Sequence, residues 1–84
     1  MNQMEIYNRY VEQEDGYYRQ LNTLEQCQHA IFDHIFRCGE QFDKLTAEEV
    51  LLKVYQLENT VRLELLYLKL AKAFLAFEMK EASS

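Results

Sequence analysis

Gly16 and Gly39 are the only glycines in this 84-residue chain, and it contains no proline. Glycine and proline are the strongest local interrupters of regular structure, so long stretches free of both read as long helices. The residues are 49% hydrophobic and 27% charged, a balance that argues against disorder. A single domain of this size has room for one small core and a narrow margin of stability.

Two local signals bound the expected helices. In FRCGEQ, Gly39 follows an apolar-periodic run, where a left-handed C-terminal cap would want it. In LTAEEV, Thr46 stands three residues before Glu49 in the capping-box pattern, with Leu45 and Val50 placed for a hydrophobic staple. The prediction is therefore all-α: helix 1 over about 3–38, a connection over 39–45 and helix 2 over about 46–80. Charge spacing supports this. Glu5/Arg9, Asp15/Arg19, Asp33/Arg37, Glu49/Lys53 and Glu58/Arg62 all place the acid four residues before the base, the favourable order on a helix.

In helix 1, Tyr7, Tyr10, Tyr17, Leu21, Leu24, Ile31, Ile35 and Cys38 share one seven-residue register, with Glu14 and Gln28 as polar interruptions. The register passes through Gly16 without a shift. That favours one continuous helix, the alternative being a break near Gly16 that leaves a short third helix at the N-terminus. In helix 2, Val50, Val54, Leu57, Val61, Leu68, Leu75 and Met79 fall in a band about 60° wide. Two helices of nearly equal length suit an antiparallel hairpin. A turn near Phe42 would pair position i with about 84−i, setting Tyr17 opposite Tyr67 and Tyr10 opposite Phe74.

One stretch exceeds what a hairpin can bury. LELLYLKLAKAFLAF, residues 63–77, is apolar except at Glu64, Lys69 and Lys72. Its fifteen residues fall short of the ~20 that span a membrane, and three are charged, so no membrane insertion is expected. Leu63, Leu66, Leu70, Phe74 and Phe77 project roughly opposite the seam and form a second apolar face that helix 1 cannot cover. Such a strip marks an interface. Assembly into a helical bundle, with a homodimer favoured, would bury it; so would a protein partner. Tyr18 leaves the helix 1 seam and joins the candidate interface residues, since tyrosine combines contact area with a polar tip.

The remaining chemistry is sparse. The net charge of −5 argues against nucleic acid or an anionic membrane as partner, and is too modest for a DNA mimic. Cys27 and Cys38, eleven residues apart on one helix, would stand about 16 Å apart and could not bridge. Free thiols, with no secretory pattern in MNQMEIYNRY, suggest the cytoplasm. Cys27, His34 and Cys38 share a helix face and offer the alternative reading: a bundle binding a metal or a small ligand, there or between protomers. Helix 2 has no Cys or His to complete a zinc site, so no metal or cofactor is expected. No nucleophile has an evident oxyanion hole and neither glycine lies in a phosphate-binding motif, which argues against an enzyme. The expectation is a small interaction protein acting as regulator, co-chaperone or inhibitor. In size and architecture it resembles small secretion co-chaperones and phage-encoded inhibitors, without a shared motif.

Overall fold

A computed structural model describes residues 2–83. Helix α1 spans Gln3–Cys38, a single 3₁₀ turn covers Gly39–Gln41, and helix α2 spans Lys44–Ser83. The two long helices pack antiparallel as one hairpin measuring 65 × 18 × 16 Å. Helix α1 runs unbroken through Gly16.

The N-terminal ends of both helices are fixed by short polar side chains. Asn2 caps α1, its Oδ1 accepting from the Glu5 amide at 2.8 Å. Asp43 caps α2, accepting from the Thr46 amide at 3.0 Å and also from the Thr46 hydroxyl. The capping box expected between Thr46 and Glu49 is thereby displaced. Thr46 lies inside the first turn and donates to the cap, because Asp43 supplies a charged acceptor three residues earlier. Leu45, assigned to the staple, is exposed. Gly39 has φ −56°, ordinary right-handed backbone, so the left-handed cap is not formed; the 3₁₀ turn reverses the chain in its place.

Every position of the α1 register is half-buried, including Glu14 and Gln28. The α2 seam differs from the expected band. It follows a strict alternation of fours and threes: Ala47, Leu51, Val54, Glu58, Val61, Leu65, Leu68, Lys72, Leu75 and Met79. This 3.5-residue repeat is that of a left-handed coiled coil. Val50 and Leu57 lie outside the seam, 43% and 55% exposed, while Leu65 is the most deeply buried apolar residue at 6%. A straight 100° wheel drifts off a 3.5-residue seam by about 20° per heptad, and rejecting polar residues hid Glu58 and Lys72.

The pairing register is shifted as well. Glu14 meets Lys72 and Gln28 meets Glu58, so position i faces 86−i where 84−i was expected. Tyr67 and Phe74 are not opposite Tyr17 and Tyr10; with the seam running through Leu65, Leu68, Lys72 and Leu75, both stand on the outer face of α2, exposed.

The seam leaves much of the chain wet. Among the described residues only Glu58, Val61, Leu65, Leu68 and Leu75 are buried, all on α2. The hairpin exposes 6740 Å², whereas a compact chain of 10.1 kDa exposes about 5,300 Å². A lone two-helix layer has no third element to close over its remaining apolar surface.

Candidate functional site

The outer face of α2 changes character along its length. Between Leu52 and Thr60 it mixes Lys53, Gln56 and Asn59 with the exposed Leu52 and Tyr55; from Leu63 onward it is apolar for four turns. Leu63, Leu66, Leu70, Phe74 and Phe77 share this face and are each 51–61% exposed, with Tyr67 beside them. Leu70, Ala73, Phe74 and Phe77 line a shallow apolar groove. A helix apolar on both faces satisfies only one of them in the hairpin.

Tyr18 stands apart from this strip. It belongs to α1 at the rim of the seam, where Lys69 Nζ lies 5.3 Å from its ring centroid. Beside it, burial and then the neighbouring Glu64 carboxylate raise the pKa of the Tyr17 hydroxyl. Tyr18 thus contacts α2 at Lys69, whereas the strip residues are on α2 itself.

Electrostatic organisation is concentrated inside the seam. Lys72 Nζ donates to Glu14 Oε2 at 2.5 Å and lies 5.9 Å from the Tyr7 ring centroid. The hydrogen bond to Glu14 is the main cause of a raised Lys72 pKa, so the ammonium persists to more alkaline pH than an ordinary lysine. Glu58, 4% exposed, accepts from Gln28 Nε2 and from Arg62 Nη2 at 3.0 Å. Of the five expected helical ion pairs, Glu58/Arg62 and Asp33/Arg37 are formed, the latter at 3.3 Å. The cross-helix pairs were not evident from spacing within either helix.

The row of Cys27, His34 and Cys38 does not converge. Cys27 is exposed, Cys38 is half-buried, and both thiols are free. His34 packs instead on Phe42, with ring centroids 4.7 Å apart and a tilt of 30°. Among the described residues, no three His, Cys, Asp or Glu side chains are grouped to hold a metal ion. Nor, among those residues, is any helix long and apolar enough to cross a membrane. No protein family, characterised protein or solved structure matches this chain.

Proposed function

We propose that this hairpin is a non-enzymatic helical interaction protein of the cytoplasm, a regulator, co-chaperone or inhibitor, that engages protein through the apolar outer face of α2. Self-association, a protein partner, or both would occupy that face. The observation that carries this reading is the half-exposed row Leu63, Leu66, Leu70, Phe74 and Phe77 on the side of α2 turned away from α1. An apolar side chain of this size contributes about 1.5–3 kcal/mol when moved from water to full burial. Five on one face give a driving force for association that the hairpin itself does not use.

The rest of the surface offers less. The groove beside Gly16, lined by Arg19, Thr23, Leu57 and Val61, is open-sided and mixed in polarity, which gives a small substrate little enclosure. The reading is tested by cross-linking and mass mapping in extract of the native host, with wild type and a Leu66→Glu/Phe77→Glu variant as bait. Cross-links from residues flanking 63–77, to any protein including a second copy, should be lost in the variant. Contacts that persist unchanged would place the functional surface elsewhere.

A further inference from the structure

We infer that the occupant of the α2 outer face is a second copy of this chain, laid antiparallel along α2 about a two-fold axis at Leu70. The inference rests on the reading of that face as an interaction surface and names its partner.

The strip is symmetric about Leu70. Leu63 and Phe77 lie seven residues to either side, Leu66 and Phe74 four, Tyr67 and Ala73 three. An isologous contact brings the same patch of both copies together in reverse order, so position i lies level with 140−i and apolar positions coincide along the whole strip. Arg62 and Glu78, eight residues to either side, end it with opposite charges at the same level. A foreign helix would impose no such symmetry.

Spacing supports a helical occupant. Positions 63, 66, 70, 73 and 77 alternate threes and fours, the pattern of a coiled-coil seam, with the small Ala73 admitting the larger side chains level with it. This second seam lies opposite the first, so pairing two hairpins through α2 produces a four-helix layer with each α1 on the outside.

The area agrees with what a stable dimer needs. The six exposed side chains from Leu63 to Phe77 present on the order of 700 Å² per copy, so closing two copies buries at most about 1,400 Å², a ceiling within the range of specific interfaces. The surface in excess of a compact chain of this mass is about 1,400 Å² per copy. One such contact removes at most roughly half of it.

The test uses the full chain with Cys27→Ser and Cys38→Ser, to which Leu70→Cys, Leu63→Cys or Phe77→Cys is added singly. Leu70→Cys should form an intermolecular disulfide with itself on mild oxidation. Leu63→Cys and Phe77→Cys should each fail alone, because copies of one position would stand about 21 Å apart, yet cross-link when mixed. Circular dichroism confirms that each variant is helical, and sedimentation equilibrium of wild type gives the mass. A dimer in which Leu63→Cys bridges itself as readily as Leu70→Cys overturns the antiparallel arrangement and leaves the interaction face intact. A wild type that stays monomeric at millimolar concentration overturns the second copy as occupant; whether the face binds another protein is then decided by the host-extract cross-links.

Discussion

The Lys72 ammonium of α2 donates to the Glu14 carboxylate of α1 at 2.5 Å, across a largely apolar seam. Fourteen residues away on each helix, Gln28 donates to Glu58 in the same register. Two polar contacts two heptads apart satisfy each other only when the helices are aligned one way. Any slip by a turn would leave Glu58 or Lys72 facing an apolar side chain. Buried polar pairs add little net stability compared with apolar packing, and fixing register is the use best attested for them.

Removing one partner should therefore cost more than removing both. Lys72→Leu leaves the half-buried Glu14 without its cation and should lower Tm on the order of 5 °C, whereas Glu14→Leu/Lys72→Leu should recover most of that loss. Thermal melts of wild type, both single variants and the double variant complete the cycle. Independent, additive losses would show that the two residues do not act as a pair.

Asp43, and not Thr46, should prove to be the cap of α2. Asp43→Ala should lower Tm by about 4–8 °C, the size of effect that loss of one cap has in a domain of this length. Hydrogen bonds from the Thr46 hydroxyl and amide hold the Asp43 carboxyl below the ordinary aspartate pKa. Because the folded pKa is depressed, the contribution is fully present above the unfolded value and is lost as pH falls through the folded one. Asp43→Asn keeps a capping oxygen, so it should melt near wild type at pH 7 and lose less stability below pH 4. Equal acid sensitivity of the two proteins would remove Asp43 from this role.

Gly16 is dispensable as a glycine. It sits in continuous α-helix, and an added Cβ would meet only the Arg19 guanidinium at 3.9 Å. Gly16→Ala should raise stability by about 1 kcal/mol in urea unfolding. Destabilisation would show that α1 needs a break there.

The thiols should be inert to folding. Cys27 and Cys38 lie on one helix without bridging, so replacing both with alanine should leave helicity and mass unchanged, with a small loss from the half-buried Cys38. Folding that collapses under reduction or on metal removal would contradict this.

The architecture was legible because its signals are local and repeated: no proline, acid-before-base pairs, and a heptad that runs through Gly16. The α1 seam was read correctly since Glu14 and Gln28 could be accepted as interruptions of a long apolar pattern. Their partners were missed for a different reason. Glu58 and Lys72 are polar residues on a helix apolar nearly all round, where Val50 and Leu57 compete for the same seam by hydrophobicity alone. Only pairing across the hairpin, a non-local contact, decides between them. The cap was missed because Thr46/Glu49 and Asp43/Thr46 are overlapping signals, and the charged acceptor prevails. The outer strip is legible from helical spacing, as is the place of Tyr18 on the other helix; its contact with Lys69 is not, because it crosses the hairpin.

The most direct test of the exposed α2 face as a self-association surface is light-scattering mass against concentration, with circular dichroism on the same samples, for wild type and Leu66→Glu/Phe77→Glu. Wild type should approach twice 10.1 kDa as concentration rises. The variant should stay near 10.1 kDa, losing helix only after dissociation, because Val54, Val61, Leu65 and Leu68 in the seam are untouched. A wild type that remains at 10.1 kDa throughout, with a variant equally helical and equally stable, would contradict the account.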